Sequence, residues 1–145
     1  MLTVDASVWV NADSPAEAES ASSRAFLDRV VAARTPIIVP TLLRVEVAAA
    51  ISRTRKDAAL AREYSEKLAA LPFVRWIALD PPLAARASVL AADHALRGAD
   101  AVYAAVAIVH GCELISLDQE HLTRLASVLA VRTPSQSLAA GSSQF

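Results

Sequence analysis

The chain has 145 residues, of which 54% are hydrophobic and 20% charged, with a formal net charge of −1. This length suits one domain with a real core, and the composition excludes a disordered chain. The near-neutral balance excludes the strongly basic surface that usually marks a nucleic-acid binder, so any hold on a polyanion must come from local patches or a bridging metal.

In chain order, Leu2 to Val4 reads as a short buried strand running into Asp5 and Ser7. Ser7 can cap a helical turn before Asn11-Ala12-Asp13-Ser14-Pro15 breaks the pattern. Ala16 to Arg34 reads as a helix, with Ala18, Ala21, Ala25, Phe26, Val30 and Ala33 as an apolar stripe. Ile37-Ile38-Val39, bounded by Pro36 and Pro40, reads as a fully buried strand. Helices follow over Thr41 to Arg55 and Ala58 to Ala70, then a third strand over Val74 to Leu79 that leaves through Asp80-Pro81-Pro82. Leu83 to Leu96 and Asp100 to His110 read as two helices separated by Gly98, with Gly111 as a C-terminal stop. Glu113 to Leu117 is a fourth strand ending at Asp118, Glu120 to Leu125 a short helix, and Val128 to Val131 a fifth strand. Residues 1–133 form the domain, and residues 134–145, rich in Ser, Ala and Gln, read as a loosely held tail.

Strands that are almost continuous apolar runs, alternating with helices, argue for a parallel sheet covered on both faces. Sites in such sheets form beyond the carboxyl ends of the strands, which is where Asp5 and Asp118 sit. The only cysteine, Cys112, allows no internal disulfide and fits a reducing compartment. The longest apolar run, Ala101 to Val109, is far short of the roughly 20 residues of a membrane helix, and the N-terminus lacks a signal-peptide pattern. The expectation is a cytoplasmic protein without a membrane partner.

Four acids carry the functional reading. Asp5 and Asp118 leave strands, and each also suits a helix cap. Asp100 opens a helix, where an acid gains about 0.3–1 kcal/mol from the dipole. Glu46 is more telling, because its helical neighbours Leu42, Leu43, Ala49 and Ala50 are all apolar and a carboxylate among them needs a compensating charge or hydrogen bond. Carboxylates gathered at one sheet edge repel and raise one another's pKa. A hard divalent cation, Mg²⁺ or Mn²⁺, resolves that conflict, and the matching chemistry is metal-assisted phosphodiester hydrolysis.

The sequence here resembles the PIN-domain ribonucleases, in particular the VapC-like toxins of toxin–antitoxin pairs. The matching pieces are Val4-Asp5-Ala6-Ser7-Val8, Pro40-Thr41-Leu42-Leu43-Arg44-Val45-Glu46-Val47, Leu96-Arg97-Gly98-Ala99-Asp100-Ala101-Val102-Tyr103-Ala104-Ala105-Val106-Ala107 and Leu114-Ile115-Ser116-Leu117-Asp118, in the family's order. The resemblance implies a three-layer α/β/α sandwich on a mostly parallel sheet of about five strands, and Mg²⁺- or Mn²⁺-dependent cleavage of RNA. It implies Asp5, Glu46, Asp100 and Asp118 as the catalytic, metal-binding acids, with Ser7 and Ser116 as supporting hydroxyls. Ser116 stands where the family more often has threonine. The resemblance further implies a small antitoxin partner and a toxin homodimer.

Arg53-Thr54-Arg55-Lys56 is the densest basic cluster, at a helix end where cations also suit the dipole. Arg53, Arg55, Lys56, Arg44 and Arg97 are candidate contacts to RNA phosphates. Trp9 and Tyr103 read first as core. His94, His110 and His121 show no metal-ligand spacing. An acid-cluster phosphatase would need an acid at Ser7, and a receiver-like module would need a lysine after Lys67, so neither fits. The remaining alternatives are a non-catalytic scaffold of the same fold and a housekeeping RNA-processing nuclease.

Overall fold

The computed structural model describes residues 1–141, and over them the apolar runs assemble into one five-stranded sheet. The strands are β1 (Leu2–Val4), β2 (Ile37–Pro40), β3 (Val74–Ile77), β4 (Glu113–Ile115) and β5 (Val131–Arg132). Every neighbouring pair is parallel, with Leu2 opposite both Ile37 and Glu113, Ile37 opposite Val74, and Leu114 opposite Val131. Parallel neighbours need crossovers long enough to hold a helix. The described residues accordingly contain eight: α1 (Ala6–Ala12), α2 (Ser20–Ala32), α3 (Leu42–Arg55), α4 (Ala58–Ala69), α5 (Pro81–His94), α6 (Gly98–His110), α7 (Gln119–Arg124) and α8 (Pro134–Gly141). The result is an α/β/α sandwich.

The sheet order is β3-β2-β1-β4-β5. The chain steps outward from β1 to β3 on one side, and α5 and α6 return it to place β4 on the other side of β1. The order reverses between β1 and β4, and a crevice at that point is where open parallel sheets bind ligands. Asp5 follows β1 and Asp118 follows β4 by three residues, so the topology brings both to this crevice.

The core explains why these stretches persist. β2 is buried throughout, and Thr3 in β1 is fully buried because its hydroxyl donates to the carbonyl of Ile38 at 2.9 Å. In α6 every residue from Asp100 to Ala107 is buried. Its alanines let this helix lie close against β1, β2 and β4, as an apolar-all-round helix must. Gly111 follows it at φ +61°, the left-handed geometry that ends a helix without a Cβ penalty. Asp57 caps α4 through the amide of Leu60, and Asp80 caps α5 through that of Leu83, both at 2.9 Å. No helix among the described residues is long and apolar enough to cross a membrane.

Several boundaries differ from the sequence reading. The helix read from Ala16 begins at Ser20, because Asn11 holds the preceding loop: its Nδ2 donates to the carbonyl of Ala18 at 2.9 Å, and its Oδ1 accepts from Ser23 Oγ at 2.8 Å. β4 ends at Ile115: the amide of Ser116 still donates to the carbonyl of Arg132, but serine hydroxyls take the two amides after it, Leu117 N donating to Ser7 Oγ and Asp118 N to Ser116 Oγ. β5 lies later than Val128, since the amides of Val128 and Leu129 fold back onto the carbonyl of Leu125. Where a loose tail was expected from Pro134, residues 134–141 form α8 against α2; residues 142–145 lie outside the described residues. Thr133 and Gln136 exchange side-chain and backbone hydrogen bonds at its start, a capping box with Pro134 at the first helical position. Arg29 then ties α8 to α2 by donating to the carbonyls of Ser137 and Leu138.

Candidate functional site

Asp5 leaves β1 at the crevice and is 5% exposed. Its Oδ2 accepts from Ser7 N at 3.2 Å and Ser7 Oγ at 2.5 Å, so it caps α1, and Ser116 Oγ stands 3.2 Å from the same oxygen. The amide of Asp5 donates to Ile115 O at 2.9 Å, which pins this corner to β4. Ser116 is fully buried and receives the amide of Asp118 at 3.0 Å. The two hydroxyls named as supporting residues therefore both touch Asp5, and both also hold the backbone of the β4 exit.

Glu46 projects from α3 and is half-buried. Its Oε2 accepts the hydroxyl proton of Tyr103 at 2.6 Å, from the fully buried ring on α6. Burial lifts the Glu46 carboxyl above its ordinary range; the Tyr103 hydrogen bond opposes this, and the charges of Asp5 and Asp100 add to it. Burial together with the negative charges of Glu46 and Asp5 pushes the Tyr103 phenol far above its ordinary value, so it stays a donor. The compensating partner that Glu46 needs is thus Tyr103.

Asp100, in the first turn of α6, is 7% exposed and its Oδ2 accepts from Arg97 Nε at 2.7 Å. Asp118 caps α7, its Oδ1 accepting from Glu120 N at 2.7 Å, while its Oδ2 accepts from Arg97 Nη2. Asp100, Asp118 and Glu120 each offer an oxygen within 4.8 Å of the others, as Asp5, Asp100 and His121 offer ligand atoms at the same spacing. Glu120 Oε2 is buried with no hydrogen-bond partner and lies 3.9 Å from Arg97 Nε. Hard oxygen donors, mutual repulsion and an orphaned buried oxygen fit a divalent cation of the Mg²⁺ or Mn²⁺ kind.

Two participants escaped the sequence reading. His121 is fully buried, with Nε2 3.1 Å from the carbonyl of Asp100 and Nδ1 2.9 Å from Ser116 Oγ. The carbonyl requires a proton on Nε2, while Nδ1 faces Ser116 Oγ, whose own proton is directed at Asp5 Oδ2. Both nitrogens are engaged, which makes His121 a brace between the β4 exit and α6 rather than a ligand. Glu120 stands two residues after Asp118 in the first turn of α7, where an acid reads as serving the helix dipole.

Of the candidate RNA contacts, only Arg97 is at the acids. Arg44 turns to α4, donating to Glu66 Oε1 at 2.8 Å and Ser65 Oγ at 3.4 Å. Arg55 holds Asp13 across from the end of α3, while Arg53 and Lys56 are exposed there. At 1.5 Å per residue, Arg53 stands roughly 10 Å along α3 from Glu46. A cleft of about 660 Å³ opens beside the acids, walled by Ser7, Asn11, Glu17, Gln119 and Gln136.

The PIN domain family model matches residues 2–128. Solved structures share the fold at low identity. VapC20 of Mycobacterium tuberculosis, described as a sarcin-ricin loop cleaving toxin, is 16% identical, with TM-score 0.71 over 90% of this chain and 97% of that one. PAE2754 of Pyrobaculum aerophilum is 23% identical, with TM-score 0.70 over 99% and 90%. A toxin–antitoxin complex from Klebsiella pneumoniae is 19% identical, with TM-score 0.63 over 92% and 98%. No curated protein matches the chain in sequence.

Proposed function

The chain belongs to the PIN-domain family, and from that premise we propose that it is a divalent-metal-dependent endoribonuclease, the toxin of a toxin–antitoxin pair. The observation that supports this reading is that Asp100 gathers with Asp5 on one side and with Asp118 and Glu120 on the other, while Glu46 feels the charges of Asp5 and Asp100, beside the point where the sheet order reverses. Asp5, Glu46, Asp100 and Asp118 would hold Mg²⁺ or Mn²⁺, with Glu120 beside them. Such an ion supplies Lewis-acid stabilisation of charge on the scissile phosphate and lowers the pKa of water.

The chain's own groups prepare the site. Ser7 and Ser116 orient Asp5, and Tyr103 orients Glu46 through Oε2. Glu46 Oε1 is then the oxygen left to take a ligand or a proton, and burial suits it to proton transfer nearer neutral pH than an ordinary carboxyl. Arg97 is the cation placed to meet a phosphate at these acids. The cleft beside Ser7 and Gln119 has the polar wall and the size to take a strand of RNA.

The partners that follow are an RNA substrate, a cognate antitoxin and a second copy of the chain, in the cytoplasm, where the buried thiol of Cys112 stays reduced. The antitoxin is supported by the likeness to the Klebsiella pneumoniae toxin–antitoxin complex. The test is cleavage of a panel of structured cellular RNAs with Mg²⁺, Mn²⁺ or EDTA, comparing wild type with Asp5→Asn and Asp100→Asn. Asn caps a helix as well as Asp does, so Asp5→Asn removes charge while keeping the fold. Metal-dependent cutting lost in both variants is the expected result. No cutting by wild type, together with no Mn²⁺ binding by calorimetry, would instead favour a non-catalytic scaffold.

A further inference from the structure

Arg97 precedes α6 at the N-cap position, yet its side chain makes no capping bond. The guanidinium goes wholly to acids. Nε donates to Asp100 Oδ2 at 2.7 Å, Nη2 donates to Asp118 Oδ2, and Nε faces the unpartnered Glu120 Oε2 at 3.9 Å. Among the described residues no other arginine or lysine pairs with Asp100 or Asp118. These three acids are also the set whose oxygens gather within 4.8 Å. A divalent cation drawn to those acids competes with the guanidinium, because the two positive groups repel each other and seek lone pairs of the same carboxylates.

We propose that Arg97 is a built-in counter-ion that competes with a divalent cation for Asp100, Asp118 and Glu120 and swings outward when the cation binds. The inference rests on the metal-dependent reading above and goes beyond it, since it gives the metal-free protein a resident cation at the outer acids. The Arg97 side chain is 67% exposed, so its release needs only rotation in solvent and no repacking. Its neighbour Gly98 has open space around it, and the adjoining Leu96 is anchored in the core, so the Arg97 side chain can turn without moving the backbone that carries it. A guanidinium stays charged across the working pH range, which leaves cation concentration as the control. Once displaced, the same group is free to donate hydrogen bonds to a phosphate at the site.

The test is Mn²⁺ titration of the metal-free full chain by calorimetry, with free Mn²⁺ followed by electron paramagnetic resonance. Removing the ion pairs that the exposed guanidinium makes with Asp100 and Asp118 predicts that Arg97→Gln binds Mn²⁺ about tenfold more tightly than wild type. Arg97→Lys keeps the charge without the planar fork and is expected at about threefold. Arg124→Gln removes a charge that pairs with Glu120 but touches neither Asp100 nor Asp118, and is expected within about twofold of wild type. Unchanged affinity in Arg97→Gln, or equal tightening in Arg124→Gln, overturns the competition while leaving the nuclease reading intact. If circular dichroism shows Arg97→Gln unfolded, Arg97→Lys decides, and affinity equal to wild type overturns the proposal. No Mn²⁺ bound by wild type or any variant sinks both readings together.

Discussion

Replacing Tyr103 by Phe removes one hydroxyl from the middle of α6 and deprives Glu46 of the donor that holds its Oε2 at 2.6 Å. The ring stays, so no cavity of consequence opens around a residue that is fully buried. A hydrogen bond to a charged acceptor contributes about 1.5–3 kcal/mol. Glu46 is half-buried and water can replace part of that bond, which leaves about 1–2 kcal/mol as the expected loss. For a domain of this size each kcal/mol moves the midpoint by roughly 2–4 °C, so Tyr103→Phe should melt about 2–8 °C below wild type at neutral pH in EDTA. The loss should also depend on pH. As pH falls and Glu46 protonates, the bond becomes a neutral one of about 0.5–1.5 kcal/mol, and the two melting curves should draw together. Thermal unfolding followed by circular dichroism reads both effects. A gap below about 1 °C at neutral pH, or one that stays constant down to acid pH, would refute the idea that Tyr103 stabilises a charged Glu46.

Ser116→Ala strips a fully buried hydroxyl from His121 Nδ1, Asp118 N and Asp5 Oδ2. It should lower the urea midpoint by the equivalent of about 1–3 kcal/mol with an unchanged m-value; an unshifted midpoint would show that the β4 exit does not need this hub. For Glu46→Gln the sign follows from burial, which holds the folded carboxyl above its ordinary value of 4.5. The folded chain then binds that proton more tightly than the unfolded chain, so the associated stability is full below the unfolded value and is lost as pH rises through the folded one. In EDTA, wild type should therefore lose melting temperature relative to Glu46→Gln as pH rises above 4.5, and parallel curves would contradict this assignment.

The strands were legible because parallel strands buried on both faces leave uninterrupted apolar runs, and Ile37-Ile38-Val39 between two prolines is the plainest case. Asp5 and Asp118 were legible because they end such runs, and Glu46 because it interrupts an apolar stripe. His121 was not, since its two partners are Ser116, five residues back, and a carbonyl 21 residues away on α6, a pairing that only the α6–β4 crossover creates. The signal for α8 was present in Thr133-Pro134-Ser135-Gln136, a capping box with proline at the first helical position, but the small polar residues after it outweighed it. The sheet order, and with it the position of the crevice, depends on which strands pair across the long return through α5 and α6. Local pattern does not carry that information.

Capping and ligand binding looked like rival explanations of Asp5 and Asp118, but a carboxylate has two oxygens and the fold uses them differently. In Asp5 the capping bonds and Ser116 all fall on Oδ2, and no hydrogen bond from the described residues reaches Oδ1. In Glu46 Tyr103 takes Oε2 and leaves Oε1. These two acids are anchored by neutral donors through one oxygen, so the other is oriented without being spent. Asp100 and Asp118 differ, because Arg97 holds an Oδ2 of each, and in Asp118 the other oxygen already caps α7. Asp5, Glu46 and Asp100 thus each keep one oxygen that no hydrogen bond among the described residues has taken, whereas Asp118 has both engaged, Oδ1 by the α7 cap and Oδ2 by Arg97. A carboxylate held this way need not choose between building the helix and serving the site, which is why a capping role never argued against a functional one here.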